Sequence, residues 1–268
     1  MEMNVLKERA KNLSWRAVSW MKDYCGDRID TLVVGVSGGI DSAVVERLCE
    51  LTGKKVICIS MPMTNDPVGE STERAMELCS GRNVTFITKT IASIVESYKD
   101  SGIEMDRLSE GNLRSRIRAN ILYNYAGMNN GIVVGTGNKD EDTIGYFTKG
   151  GDGLVDICPL SDIHKSDVYK MAGYLDVPSR TLNAVPTAEL WDGQTDEQEL
   201  GMNYNEVEWA IKMLSIRKKL ELEKDEWASI RKDFSKCCRD RQLIVLDKVY
   251  HMKKKNAHKL SYPPIFMV

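Results

Sequence analysis

Three histidines among 268 residues, scattered along the chain, leave no Ser-His-Asp or Cys-His arrangement that could be defended as a nucleophile with its base. The seven cysteines contain no CxxC spacing, only the adjacent pair Cys237-Cys238, and this odd count argues against a disulfide framework or a zinc ribbon. Such usage leads us to expect a cytoplasmic protein. No apolar run approaches the ~20 residues that span a membrane. The N-terminal stretch MEMNVLKERAKNLSWRAVSWM carries charges throughout and lacks an apolar signal core, so neither a signal peptide nor an anchor is expected. A formal net charge of −2 gives no global attraction for nucleic acid, although Lys253-Lys254-Lys255 with Lys259 form a local basic run. Neither nucleic acid nor membrane is an expected partner. Internal repeats, low-complexity tracts and a proline-rich linker are absent too, and a single domain over 1–268 is the expectation.

What the sequence does contain is a regular alternation. Thr31 to Val36, Lys55 to Ser60, Val84 to Thr88 and Gly131 to Gly135 read as strands, separated by helical patterns at Ser42 to Leu51, Gly69 to Cys79, Ile91 to Lys99 and Gly111 to Met128. This order predicts an α/β fold with a doubly wound parallel sheet, right-handed crossovers and helices on both faces. Ligands of such sheets bind outside the carboxyl ends of the strands. Ahead of the sheet, Val5, Leu13, Val18 and Met21 predict an amphipathic helix over Asn4 to Tyr24. Behind it, Lys165 to Leu175, Asn205 to Ser215, Asp225 to Phe234 and Arg241 to Met252 predict a helical C-terminal part. The expected division is an N-terminal helix in 1–29, an α/β core in 30–160 and a mainly helical part in 161–268.

The first strand runs into GVSGGIDS, Gly35 to Ser42, and then into a helix. A strand, a glycine turn and a helix start aim several N–H groups and the positive end of a dipole at one point, which is how proteins hold phosphate. The common GxxxxGK[ST] loop is absent, and no lysine sits where it would reach a β/γ-phosphate. Ser37 and Ser42 offer hydroxyls instead, Gly38 and Gly39 permit close backbone approach, and Asp41 adds a carboxylate. A carboxylate beside phosphates repels them unless a cation lies between, so Asp41 reads as a Mg²⁺ ligand. The string SGGIDS resembles the pyrophosphate loop of the ATP pyrophosphatases. A strand, a turn and a capped helix also occur without a ligand, but a cap needs only one polar residue.

Three further segments carry chemistry. Gly135-Thr136-Gly137-Asn138 closes the fourth strand and leads into Lys139-Asp140-Glu141-Asp142, where Glu141 is the choice for a second metal ligand; alone, the cluster also reads as an acidic helix N-terminus. GYFTKGGDGLVDICPL, Gly145 to Leu160, places Lys149, Asp152 and Asp156 in a glycine-rich stretch that suits either a lid or a hairpin-like turn. In Gly111 to Met128, Leu113, Ile117 and Ile121 form a packing stripe, while Arg116, Asn120 and Tyr123 form one that faces solvent or recognises an anion.

SGGIDS, GNLRSRIR, GTGNKDE, GYFTKGGDGLVDICPL, the segment PTAELWDGQTDEQELG from Pro186 to Gly201, and HKLSYPP occur in an order and spacing that strongly resemble the ammonia-dependent NAD synthetases. The resemblance runs from Asp30 to Pro264 and implies an adenine nucleotide alpha hydrolase-like fold. It further implies that Gly35, Val36, Ser37, Gly38, Gly39, Ile40, Asp41 and Ser42 bind ATP together with Thr136, Lys165 and Thr187. Asp41 and Glu141 hold Mg²⁺ on this reading, and Asp41, Lys165 and Glu141 are the catalytic set. Arg116, Lys149, Asp156, His258 and Lys259 fall where the family binds deamido-NAD. The activity implied is amidation of deamido-NAD with ammonia, with ATP split to AMP and pyrophosphate, in a homodimer.

Free ammonia is the expected donor, because no stretch before Asp30 is long enough for an amidase; a separate amidase subunit stays compatible with the sequence. Leu260 stands where the family often carries Arg, and Asp140 and Asp142 are expected to make the metal site more acidic than usual. Two rival readings remain. One is another pyrophosphatase of this fold, such as a tRNA thiolase or a purine-amidating synthetase; the other is a nucleotide-sensing module without catalysis.

Overall fold

The computed structural model describes residues 2–64, 69–187, 195–219 and 227–266. Helix α1 (Glu2–Cys25) buries Ala10, Ser14, Ala17, Val18, Met21 and Cys25, which recur at helical spacing and form one stripe. Val5, expected on that stripe, is exposed, and Leu13 packs at its margin. The chain then alternates through β1 (Thr31–Gly35), α2 (Ile40–Leu51), β2 (Lys55–Ser60), α3 (Glu70–Cys79), β3 (Thr85–Thr88), α4 (Ala92–Asp100), α5 (Arg107–Met128) and β4 (Gly131–Val134). The expected strands are present, three of them a residue shorter at one end, and α5 begins four residues before Gly111 because Asp106 caps it by accepting from the Ser109 N–H.

All four strands are parallel, in the order β3-β2-β1-β4, with Thr31 opposite both Lys55 and Gly131. Side chains of a strand alternate between faces, and each face here has its own core. Leu32, Val34, Val56, Cys58, Ile132 and Val134 pack with residues of α1, α2 and α3, whereas Val33, Ile57, Ile59 and Val133 pack with Val95, Ile117 and Ala126 of α4 and α5. This is the two-faced parallel sheet that the alternation predicted. Because β1 leads outward to β2 while β4 lies on its other side, the carboxyl ends of β1 and β4 flank the point where the winding reverses.

After β4 come α6 (Lys139–Ile144), α7 (Lys165–Tyr174), α8 (Ser179–Leu182), α9 (Asp196–Leu200), α10 (Tyr204–Lys219), α11 (Trp227–Phe234), α12 (Asp240–Asn256) and a 3₁₀ turn, Ala257–Lys259. Helix α7 joins the core beneath α1 and α2, and Arg9 ties α1 to it through Asp167 at 2.6 Å. Ile144, Leu200, Val207, Ile211, Phe234 and Leu246 form a third core among α6 and α9 to α12. The helical C-terminal part is therefore split between the sheet and a pack of its own. Residues 188–194 of the expected Pro186–Gly201 motif, and 220–226 with the expected helix start at Asp225, lie outside the described residues. Among the described residues no helix is long and apolar enough to cross a membrane.

Helix α2 carries one ionic pair into the core. Glu46 and Arg47 are 0% and 4% exposed, 2.7 Å apart, and Arg47 also donates to the Leu78 carbonyl at 3.0 Å. Burial pushes the Glu46 carboxyl up to about 7 against the pull of Arg47. A carboxyl raised on folding lends stability below its unfolded value near 4.5 and loses it as pH climbs through about 7. The unfolding free energy of E46Q, measured by urea titration, should therefore fall between pH 5 and pH 8 by roughly 2 kcal/mol less than that of the unsubstituted chain.

Candidate active site

Gly35–Ser42 folds on itself at the carboxyl end of β1. The Ser42 hydroxyl donates to the Gly39 carbonyl at 3.0 Å and accepts from the Ser37 N–H at 3.3 Å, while the Ser37 hydroxyl accepts from the Gly39 N–H at 3.2 Å. Helix α2 starts at Gly39 without a side-chain cap, so the first N–H groups of the helix, at residues lining a cavity, are left for a ligand. Gly38 adopts a φ of +79°, and a Cβ there would stand 2.3 Å from the Ser71 carbonyl oxygen. Arg74 holds the loop from below by donating to the Gly38 carbonyl at 3.0 Å.

Asn138, fully buried, aligns the loop after β4 with the loop after β1. Its side-chain oxygen accepts from the N–H groups of Asp140 and Glu141 at 3.0 and 3.2 Å, and Glu141 returns a bond from the Asn138 N–H at 3.2 Å, completing a capping box on α6. The same side chain donates to Asp41 Oδ1 at 3.1 Å. The acidic cluster is a capped helix start, and the cap aims Glu141 at the carboxyl end of β1. Asp140 and Asp142 do not add to that centre. Asp140 caps α7 by accepting from the Lys165 N–H at 2.8 Å and pairs with His164 at 2.6 Å, and Asp142 accepts from the Ser161 hydroxyl. Buried helix-end N–H groups require an acceptor, and Asp140 supplies one to α7.

Lys165, 2% exposed, reaches Asp41 Oδ2 in a close ion pair and Glu141 Oε1 at 3.5 Å, with its ammonium 4.5 Å above the Tyr204 ring. Burial alone would lower the lysine, but the two carboxylates outweigh it and raise it, so the ammonium stays charged. Burial pushes Glu141 up to about 7, opposed by Lys165 and assisted by repulsion from Asp41. Two hard carboxylates against one ammonium leave the centre short of positive charge.

The glycine-rich segment is a tight turn. Asp152 accepts from the Thr148 N–H at 2.9 Å and the Ser115 hydroxyl at 2.7 Å, and a Cβ on Gly151 would stand 2.2 Å from that hydroxyl. Arg116 donates to the Lys149 carbonyl at 3.3 Å, and Lys149 to the His258 carbonyl at 2.9 Å. Lys259 donates to the carbonyls of Gly145 and Phe147 at 2.8 and 2.7 Å, so the end of the chain crosses this turn as a strap.

These parts enclose a cavity of about 610 Å³. Of the residues singled out from the sequence it is lined by Gly35, Val36, Ser37, Gly39, Ile40, Asp41, Ser42, Thr136, Glu141, Lys165, Thr187, Arg116, Lys149, His258 and Lys259. Gly38 lies behind the loop. Asp156 is elsewhere: its carboxylate accepts from the Val133 N–H at 2.7 Å and the Tyr123 hydroxyl at 3.3 Å, covering the outer edge of β4, where Ile157 bridges to Val134. Arg116 reaches the cavity, but Tyr123 is taken up by Asp156, so the second stripe of α5 is only partly available. Sequence reasoning passed over Asn138, Tyr204, Asp196 and Tyr146. Asn138 followed by Glu three residues on is a capping-box signature; Tyr204 and Asp196 carry no local signal.

A doubly wound parallel sheet with an anion-accepting turn at the reversal of its winding is the adenine nucleotide alpha hydrolase-like architecture. The NAD synthase family profile matches residues 15–263. The NH(3)-dependent NAD(+) synthetase of Archaeoglobus fulgidus is 36% identical over 88% of both chains, and that of Methanosarcina acetivorans is 36% identical over 96% of this chain and 97% of the other. The solved NMN synthetase of Francisella tularensis superposes with a TM-score of 0.79 at 31% identity, covering 96% of this chain and 98% of that one. The chain belongs to the NAD synthase family.

Gly38 offers a test of the phosphate loop. G38A forces either the loop or α3 aside, so ATP affinity measured by calorimetry should fall at least about tenfold, a loss of ~1.4 kcal/mol, while the far-UV circular dichroism spectrum persists.

Proposed function

We propose that this chain catalyses the ATP-dependent amidation of deamido-NAD with ammonia, yielding NAD, AMP and pyrophosphate. The observation that carries this reading is the convergence of Asp41, Glu141 and Lys165 from three separate elements beside the uncapped start of α2. Its relatives' names, NH(3)-dependent NAD(+) synthetase, support the same activity.

A carboxylate cannot be amidated directly, because its oxygen is a poor leaving group. The nicotinate carboxylate of the substrate attacks the α-phosphorus of ATP in line, and the bond to pyrophosphate breaks. A mixed anhydride with AMP remains; ammonia adds to its carbonyl carbon, loses a proton, and AMP departs with the bonding pair. No enzymic nucleophile takes part. On this reading Gly35–Ser42, Thr136 and Thr187 hold the nucleotide, and Lys165 meets charge growing on phosphate oxygens. Arg116, Lys149, His258 and Lys259 bind the anionic dinucleotide. Asp156, exposed and bonded to the edge of β4 next to Val155 of the cavity wall, stays in that set on the resemblance.

The donor set fits Mg²⁺: two carboxylates with hard oxygens, one of them pushed up by burial for want of positive charge. Asp41 and Glu141 would hold the ion, which when bound supplies neutralising charge to the phosphates. We place the enzyme in the cytoplasm as a homodimer, supported by the exposed apolar residues Ile94, Tyr98, Ile103, Leu108 and Met128 on and around α4 and α5, which a second copy would cover. The likeness to an NMN synthetase favours one alternative acceptor, nicotinic acid mononucleotide, which presents the same nicotinate carboxylate without the adenylyl half.

Steady-state assays with ATP, Mg²⁺ and ammonium, offering deamido-NAD or the mononucleotide, decide between them. AMP and pyrophosphate should form in equal amounts with deamido-NAD, at far higher kcat/KM than with the mononucleotide and without any requirement for glutamine; release that ignores the acceptor defeats the proposal. D41N should lower kcat at least about a hundredfold, as expected for loss of a preorganised charge, with the far-UV circular dichroism spectrum retained and the thermal midpoint lowered because Lys165 loses a buried partner.

A further inference from the structure

The helices beyond the sheet make a contact with this centre that no motif marks. Tyr204 opens α10, is 8% exposed, and sets its hydroxyl 2.9 Å from Glu141 Oε1 and 2.8 Å from Asp196 Oδ2. Its ring lies beneath the Lys165 ammonium at 4.5 Å. Asp196, at the start of α9 and 5% exposed, is approached on its other oxygen by the Tyr146 hydroxyl at 3.5 Å, which also donates to Glu199 at 2.7 Å.

Besides the Lys165 ammonium, 3.5 Å from Oε1, two contacts hold the Glu141 carboxylate. Oε2 is held by the Asn138 N–H, and Oε1 faces Tyr204. The first contact is local to α6; the second comes from sixty-three residues away. A tyrosine kept only for its ring needs no partner of this kind, because phenylalanine fills the same space without burying a hydroxyl. Here the hydroxyl is withdrawn from water and both its neighbours are acids, one belonging to the centre.

We propose that Tyr204 is a positioning residue for the divalent cation that accompanies ATP. Its hydroxyl gives its one proton to Glu141 Oε1 and so sets the plane of that carboxylate, its ring seats Lys165, and Asp196, carrying a proton of its own, donates to the hydroxyl oxygen and anchors it. This rests on the reading of Asp41 and Glu141 as the cation-holding pair. Partners behind a ligating carboxylate orient it, and removing one costs about 10–100-fold in metal affinity or activity.

The test uses the full chain with Mn²⁺ as a paramagnetic probe and α,β-methylene-ATP, whose bridging carbon prevents cleavage at the reacting bond. Y204F keeps the ring under Lys165 and removes only the hydroxyl. Electron paramagnetic resonance should show the Mn²⁺ dissociation constant rising about tenfold or more with the analogue bound, while the KM for deamido-NAD and the thermal midpoint stay as in the unsubstituted chain. D196A, which removes the anchor of the hydroxyl where asparagine would still donate to it, should move Mn²⁺ affinity in the same direction. The double variant should be no weaker than Y204F, since both act through one contact.

Unaltered Mn²⁺ binding in Y204F, alongside lost binding in E141Q, overturns the inference and leaves the role of Glu141 standing. A Y204F variant that loses thermal stability together with affinity for cation and deamido-NAD alike assigns Tyr204 to packing, and overturns it too. Should E141Q bind the cation as the unsubstituted chain does, the reading of Glu141 as a ligand fails first and carries this inference with it.

Discussion

An ammonium almost wholly withdrawn from water must have anions beside it, and Lys165 finds them on two loops that are far apart in sequence. That requirement brings the loop after β1 to the start of α6 and sets both against the start of α7. The sheet makes the meeting possible, since β1 and β4 are neighbours with their carboxyl ends on one side. Asn138 makes it accurate, one carboxamide capping α6 and touching Asp41 together.

The arrangement also explains why the two acids flanking Glu141 do not belong to the centre. Asp140 and Asp142 follow the same turn as Glu141 in the sequence but are consumed by a helix cap and a hydroxyl. Only the third position of the capping box carries its carboxylate back across the helix start, which is the geometric reason that Glu141 faces Asp41 and its neighbours do not. Burial raises Glu141 first, and repulsion from the carboxylate opposite adds to the rise against the pull of the single lysine between them.

Much of this was legible from the residues. The strand-and-helix alternation gives a parallel sheet with helices on both faces, though not the order of its strands, and GVSGGIDS identifies the turn after β1 because its glycines, hydroxyls and carboxylate have few structural uses in combination. Seven residues of that segment line one cavity together with Thr136, Glu141 and Lys165. What was not legible follows a common cause. The stripe of α1 depends on what it packs against, so Val5 looks apolar yet lies in water. Asp156 was assigned by position in a motif, and nothing along the chain showed that its carboxylate also takes up the open N–H of an edge strand. Tyr204 and Asp196 reach the centre only through the packing of α9 and α10, and no spacing along the chain encodes that approach.

The centre is also a seam between separately packed bodies. Lys165 and Asp41 stand on helices rooted in the core against the sheet, while α6, which carries Glu141, plants Ile144 in the core shared by α10 and α12. Relative shear of these two bodies by an ångström would leave each interior intact and yet part the lysine from one of its carboxylates. The polar contacts across that boundary therefore act as a mechanical gauge: the alignment of the centre reports how the C-terminal helices are seated, and a substitution deep among them is felt at Glu141 without touching it.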